Sequence, residues 1–332
     1  MAGLLEGLLD ELVEARRPWV SDAIRSWYAE AGVTEQLRHP LAPEAHRVGN
    51  TVFAEELRVA VGLDDVDDAL DWANRRLDLP GGWAVTGIRF RAGDASRPFV
   101  DVIATTGSPT PDGLADLAEI VVPAYEAFAP LCLRVDAPDP AGLVEQLNGD
   151  PRFGAGCAVD MYVVAGLVHE LRKHPRAPAY PWVSLRAGDP QELAPRVASV
   201  YAELAVRQPE LAMWANPEDA DSLAESAGEG LLFEVLVDGE PAGVVASIRY
   251  DAHAMAGFSV QELCLDAAHR GRNMAAGTVQ RLTDELPARP GDVLWGTIHP
   301  SNLPSLRNAL SVGRVHVGGY AWVTPAGLPG MP

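Results

Sequence analysis

The segment Val260–Ala275 constrains this chain more than any other. Val260-Gln261-Glu262-Leu263-Cys264-Leu265 has the make-up of a strand end, and Met274, Val279, Leu282 and Leu286 line one face of a helix that opens a few residues later. A strand that turns at once into a helix lays that helix against its own sheet, so the fold class is α/β or α+β. The turn, Asp266-Ala267-Ala268-His269-Arg270-Gly271-Arg272-Asn273, gathers unpaired amide N–H groups at the positive end of the helix dipole. Such a corner binds phosphate. Gly271 lets the main chain come close to a ligand, Asn273 tolerates a left-handed conformation, and Arg270 and Arg272 add positive charge. Taken alone, a glycine turn ahead of a helix also reads as an ordinary structural turn.

Those arginines stand against an acidic background of 46 Asp and Glu and 26 Lys and Arg, a formal charge of −20. Such a field excludes tight nonspecific nucleic-acid binding and steers cationic molecules inward. With 332 residues, 48% of them hydrophobic and 22% charged, the chain holds enough apolar material for two globular cores. Cys132, Cys157 and Cys264 lie far apart, and His253, His269 and His316 lack ligand spacing, so no metal site is expected. The leucine-rich start carries Glu6, Asp10, Glu11 and Glu14, the reverse of a secretory leader, and no apolar run approaches the roughly 18 residues a membrane span needs. The expectation is a cytoplasmic protein with no membrane partner, monomeric or homodimeric.

Residues 1–175 and 182–326 are expected to form two domains, joined at His174–Pro181, whose three prolines mark a linker. In the first, Leu4, Leu5, Leu8, Leu9, Leu12 and Val13 predict an amphipathic helix and Val20–Ala31 a second; Leu37–Asn50, rich in Pro and His, reads as a loop and Asp64–Leu77 as a surface helix. Strands Trp83–Phe90 and Phe99–Ala104 flank Gly93-Asp94, followed by helix Asp112–Phe128, strand Leu131–Val135, helix Pro140–Leu147 and strand Cys157–Val164. In the second, strand Trp182–Arg186 leads to Asp189-Pro190, the start of a helix running to Val206, and a shorter helix covers Pro217–Ala227. Asp238-Gly239 between Leu231–Val237 and Ala242–Tyr250 is a hairpin signal. Strand Ser259–Leu265, helix Met274–Leu286, strand Val293–Ile298, helix Asn302–Val312 and strand Val315–Val323 complete the chain. Both halves end in strand, helix, strand, which reads as an internal repeat or as two unrelated α+β halves.

On these residues the second half resembles the Gcn5-related N-acetyltransferase (GNAT) family, whose acyl-CoA motif is a strand followed by Arg/Gln-x-x-Gly-x-Gly/Ala. Here it reads Arg270-Gly271-Arg272-Asn273-Met274-Ala275, with Asn273 replacing the first glycine of the Gly-x-Gly/Ala pair. The resemblance implies that the amides from Arg270 to Ala275 hold the CoA pyrophosphate, that Leu263-Cys264-Leu265 pairs with pantetheine like an added strand, and that an amide near Leu265 polarises the thioester carbonyl. Thr297–Arg314 is similar to the family's Asn-led helix: Asn302, Ser305 and Gly313 match, but Ala309 stands where the family has a tyrosine that often protonates the departing thiolate. That acid must come from elsewhere, or from none. The first half resembles the family only in element order, with no Arg-Gly-x-Gly turn between Phe99 and Leu117. The implied fold is two tandem GNAT-like domains, mixed and mostly antiparallel sheets flanked by helices, the first a degenerate copy or accessory domain.

The implied reaction moves an acyl group from acetyl-CoA or another acyl-CoA to a small-molecule amine by direct attack, without a metal or a covalent enzyme intermediate. Glu262 could take the ammonium proton; its plainer reading is an exposed strand residue or a salt bridge. His299, with an ordinary pKa near neutral, could serve as base or acid, or finish its strand and bond the loop. Ser305 could donate to pantetheine or sulfur, or cap its helix; Cys264 reads as a buried, inert thiol. Trp182, Trp214 and Trp295 suit an acceptor pocket or a core. Two rivals stay open: an aminoacyl-tRNA-dependent amide-forming transferase on the same fold, the one nucleic-acid partner left, and a non-catalytic acyl-CoA-binding protein.

Overall fold

A computed structural model describes residues 2–63, 66–209 and 215–332. Contacts divide the chain into two units, residues 1–162 with 252–254 and 317–332, and residues 163–251 with 255–316. The His174–Pro181 segment lies inside the second unit. The segment is docked rather than free: the Ala177 N–H donates to Gln280 Oε1 (2.8 Å), Gln280 Nε2 donates to the Pro175 carbonyl (2.9 Å), and the Tyr180 hydroxyl donates to Asp284 (2.7 Å).

The first unit opens with α1 (Ala2–Arg16), α2 (Asp22–Trp27), α3 (Glu30–His46), α4 (Thr51–Val61) and the short α5 (Ala69–Trp72). β1 (Arg75–Leu79), β2 (Gly82–Phe90) and β3 (Pro98–Thr105) form an antiparallel meander. After α6 (Pro111–Ala124), β4 (Leu133–Ala137) runs parallel to β3, with Val100 opposite Leu133. α7 (Pro140–Asn148) and β5 (Ala158–Leu167) follow. The second edge of β4 takes residues 319–323 of the chain's last strand, antiparallel. Trp72, Ile88, Leu114, Leu117 and Leu133 fill the core between sheet and helices.

Three expectations change here. Residues 37–46 are helical despite Pro40 and Pro43, because Val33, Leu37, Leu41 and Ala45 fall at helical spacing and are all buried. That burial outweighs the lost N–H donors. Arg75–Leu77, the end of the expected helix, lie instead in a strand, Arg75–Leu79, held by its hairpin with β2, Leu79 opposite Gly82. α4 was not anticipated, although Asn50 accepts from the Val52 and Phe53 N–H groups at its start and Gly62, at φ 70°, ends it. Asp64 lies outside the described residues.

The second unit contains the end of β5, α8 (Val168–Leu171), β6 (Val183–Ala187), α9 (Pro190–Arg207), α10 (Ala220–Gly228), β7 (Leu232–Val237), β8 (Glu240–Arg249), β9 (Gly257–Leu265), α11 (Met274–Glu285), β10 (Val293–Ile298), α12 (Leu303–Ser311) and the start of β11 (Val315–Val323). Asp238 (φ 54°) and Gly239 (φ 85°) make the expected two-residue hairpin, since positive φ at both positions matches the strand twist. β6 to β9 are antiparallel and β9 is parallel to β10. α9 and α10 cover one face, packing Leu193, Val197, Val200 and Leu223 on Leu232, Val244 and Cys264. α11 covers the other, packing Met274, Val279 and Leu282 on Phe258, Leu265 and Leu294. The order β3, α6, β4, α7, β5 recurs as β9, α11, β10, α12, β11, with a parallel first pair in both. Among the described residues no helix is long and apolar enough to cross a membrane.

The β9–β10 junction starts at Gly257, whose φ is +152° and whose added Cβ would meet the Val293 main chain. Gly257→Ala is therefore expected to destabilise the fold by about 2–4 kcal/mol, read as a lower urea midpoint at unchanged slope.

Candidate active site

β9 is irregular along both edges near its middle. Toward β8, Ala246 opposes Glu262 but Ser247 opposes Val260, so Gln261 is an extra residue, a β-bulge. Toward β10 the parallel register joins Gly257 to Val293, Phe258 to Leu294 and Ser259 to Trp295, and ends there. From Val260 to Leu265 the strand runs on beyond its last pair with β10. An edge of this kind accepts an extended ligand as an added strand.

The bulge places Glu262 on the α9 and α10 face with Cys264, and Leu263 and Leu265 on the α11 face. Glu262 is only 2% exposed. Its carboxyl accepts from the Tyr201 hydroxyl (3.2 Å) and the Glu218 N–H (3.5 Å), with no cation paired to it among the described residues. Burial pushes it from 4.5 up to about 7, and the two donors offset this only in part. Tyr201 is itself held far above its ordinary value by burial and by the charge of Glu262, so it stays an O–H donor. A cleft of about 350 Å³ opens between α9, at Gln191, Ala194 and Ala198, and residues 217–220, and Glu218 in its wall is the residue whose N–H meets Glu262. Glu262 is thus neither exposed nor salt-bridged.

Beyond β9, Gly271 (φ 71°) and Asn273 (φ 58°) carry the turn through the left-handed region. α9, α10 and α12 begin on Asp189, Asp219 and Asn302, each of which accepts a hydrogen bond from its own first turn. α11 begins on Asn273 with no side-chain cap, and the first amide after it to find a backbone acceptor is that of Ala276, on the Asn273 carbonyl (3.2 Å). Gly271, Arg272 and Asn273 are exposed, and nothing lies within 4 Å of an added Gly271 Cβ. The leading amides of α11 are therefore uncapped, and the exposed Gly271–Asn273 turn ahead of them borders open space at Gly271 where β9 ends. Arg270 braces the turn: its Nε donates to the Leu265 carbonyl (2.8 Å) and its Nη2 lies 3.7 Å from Glu203. Arg272 is the cation left to face a ligand, since it has no hydrogen bond or ion pair among the described residues.

The other sequence candidates have local partners. His299 Nδ1 accepts from the Ser301 N–H (3.2 Å), closing its own loop. Asn302 Oδ1 accepts from the Ser305 N–H (3.2 Å), which caps α12. Ala309 is fully buried against Ile298 and Val164. Cys264 is buried, which pushes its thiol far above the ordinary range. Trp295 donates to the Tyr250 carbonyl (2.9 Å) and stacks on that ring, whereas Trp182 is 57% exposed. Trp214 lies outside the described residues. Sequence reasoning missed Tyr201, although a tyrosine beside Val197 and Val200 on the apolar stripe of α9 needs a buried partner for its hydroxyl.

The pH dependence of folding follows from Glu262. Between pH 4.5 and about 7 the folded state holds a proton that the unfolded chain has released, so stability falls as pH rises through that window. Thermal unfolding is expected to show Glu262→Gln more stable than the wild type by roughly 2–3 kcal/mol at pH 8 and equal to it at pH 4.

No protein-family model matches the sequence, and no curated protein does. Among solved structures the chain is similar to a GCN5-related N-acetyltransferase from Sphaerobacter thermophilus (14% identity, 84% of this chain and 92% of that one, TM-score 0.48). It is also similar to a GNAT-family acetyltransferase from Colwellia psychrerythraea (10% identity, 74% and 81%, TM-score 0.45). A third is a tandem GNAT protein from the clavulanic acid biosynthesis pathway (15% identity, 73% and 77%, TM-score 0.37). The second unit combines an antiparallel run from β6 to β9, a short parallel junction to β10 and α11 laid across one face of these strands.

Proposed function

We propose that the second unit transfers an acyl group from an acyl-CoA thioester to the nitrogen of a small cationic amine. One observation carries this reading: the stretch of β9 past its last pair with β10 leads straight into the uncapped amides of α11, and within that stretch, beside the bulge, sits the buried carboxyl of Glu262, which burial pushes up to about 7. A diphosphate suits the amides of residues 271–275, helped by Arg272. The pantetheine arm, with its amides, suits the free edge of β9 at Leu263–Leu265.

The acceptor enters as an ammonium, attracted by the acidic surface. Ionised Glu262 takes one proton; the freed nitrogen attacks the thioester carbon, and a main-chain N–H near Leu265 stabilises the oxyanion. The C–N bond forms, the C–S bond breaks with its electron pair leaving on sulfur, and the second proton of the nitrogen passes to the thiolate or to water as the neutral amide forms. Most of the acceleration comes from holding the two reactants together, because no covalent enzyme intermediate is used.

The test is release of free CoA thiol from acetyl-CoA across a panel of amines. Amine-dependent release is expected. Binding of acetyl-CoA without release by any amine would make the protein an acyl-CoA-binding module, and product formation abolished by ribonuclease would assign the donor to an aminoacyl-tRNA.

A further inference from the structure

Arg314 follows α12 and folds back on it, its N–H donating to the Ala309 carbonyl (3.2 Å). The residue is 5% exposed. A Cβ added to Gly296 would lie 3.8 Å from both Arg314 Nη1 and the Val260 Cβ. Gly296 is the first residue of β10 past its last pair with β9, and Val260 is the first of β9 past its last pair with β10. The guanidinium therefore sits where the two strands part. By strand alternation Gly296 shares its face with Leu294 and Ile298, which pack on α11 and α12, opposite the face that carries Glu262.

Guanidinium groups that are only half-buried are matched by carboxylates, Arg134 by Asp101 (2.9 Å) and Arg16 by Asp136 (2.7 Å). Arg314 has no carboxylate and no hydrogen-bond acceptor for its side chain among the described residues, and its buried Nε has no partner. Burial alone pushes its pKa down, to about 10, which still leaves it charged at neutral pH. A buried cation without a counter-charge is costly, and a ligand that brings the missing charge recovers that cost.

We propose that Arg314 is an anion receptor at the parting of β9 and β10, and that it takes one negative charge from the ligand group seated there. On the acyl-CoA reading, on which this identification rests, that charge is either a carboxylate at the end of the acyl chain or the thiolate formed when the C–S bond breaks. In the second case the sulfur leaves as thiolate paired with the guanidinium; of the two protons the ammonium nitrogen gives up, the first stays on Glu262 and returns to solvent between turnovers, and the second passes to water as the amide forms. A guanidinium suits either ligand, since both accept its N–H groups as charge-assisted hydrogen bonds.

The test compares the wild type with Arg314→Met and Arg314→Lys by calorimetry; removing an unpaired buried charge leaves Arg314→Met free to fold. Succinyl-CoA binding at least tenfold more tightly than butyryl-CoA would assign the charge to a carboxylate. CoA tightening about tenfold between pH 7 and 8, while desulfo-CoA does not, would assign it to the thiolate. Both preferences are expected to vanish in Arg314→Met and to return at least in part in Arg314→Lys. Where the CoA compounds bind, equal behaviour of wild type and Arg314→Met, or neither preference in the wild type, overturns the receptor. A parallel thermal-shift titration with formate at constant ionic strength separates the two levels. If no CoA compound binds but formate stabilises the wild type and not Arg314→Met, the acyl-CoA reading falls and the receptor stands; if formate does nothing either, both fall.

Discussion

Glu262→Gln is expected to lower kcat with a saturating amine by about 10²- to 10⁴-fold at pH 8, the range that a positioned general base supplies. Glutamine keeps the shape of the carboxyl: its single oxygen can accept from the Glu218 N–H while its NH2 donates to the Tyr201 hydroxyl oxygen, so packing is preserved while the proton acceptor is lost. The wild-type kcat/KM should rise with pH through about 7, because the base acts only when ionised and burial has moved its titration there. In Glu262→Gln that rise should be absent. Tyr201→Phe removes a donor that favours the carboxylate, so its profile should keep the same shape with the midpoint moved to higher pH. The glutamine variant should at the same time be the more stable protein at pH 8. A residue retained for folding alone would give the opposite combination.

Arg272→Glu is expected to raise the Kd for acetyl-CoA by about 10²-fold in calorimetry, since it removes a charge-assisted hydrogen bond and sets a carboxylate beside the diphosphate site. The single substitution is the cleaner probe. Arg270 is spent on the Leu265 carbonyl, so changing it also loosens the end of β9. S-acetylpantetheine, which has the arm and the thioester but no diphosphate, should bind wild type and Arg272→Glu alike. High salt should narrow the gap for acetyl-CoA, because Arg272 is exposed and its field is screened.

Features legible in the sequence are those that local chemistry decides. The Asp238-Gly239 hairpin, the Asp189-Pro190 helix start, the Gly271 and Asn273 turn and the helix that begins around Asn302 each depend on a few neighbouring residues, and each stands where the residues place it, although the cap of that last helix is Asn302 and not Ser305. Burial and partners from distant segments overrule such signals. Pro40 and Pro43 argue for a loop, yet the apolar face of α3 is buried and the helix continues through both. The prolines of 174–181 argue for a linker, yet Gln280, far along the chain, holds that segment in place. For the site, Glu262 was visible as a strand carboxylate, but its burial, its titration near neutral and its partner Tyr201 depend on how α9 crosses the bulge. Arg314 was unremarkable for the same reason: its isolation is a property of what surrounds it, not of its neighbours in sequence.

The most direct measurement is hydrogen–deuterium exchange over residues 257–276, free and with acetyl-CoA or adenosine 3′,5′-bisphosphate. The account predicts that acetyl-CoA slows exchange both along 260–265, where the arm adds to the open edge of β9, and across 271–275, where the amides close on the diphosphate. The bisphosphate, which carries neither arm nor diphosphate, should leave 260–265 unchanged. Unaltered exchange in both stretches under saturating acetyl-CoA would contradict it.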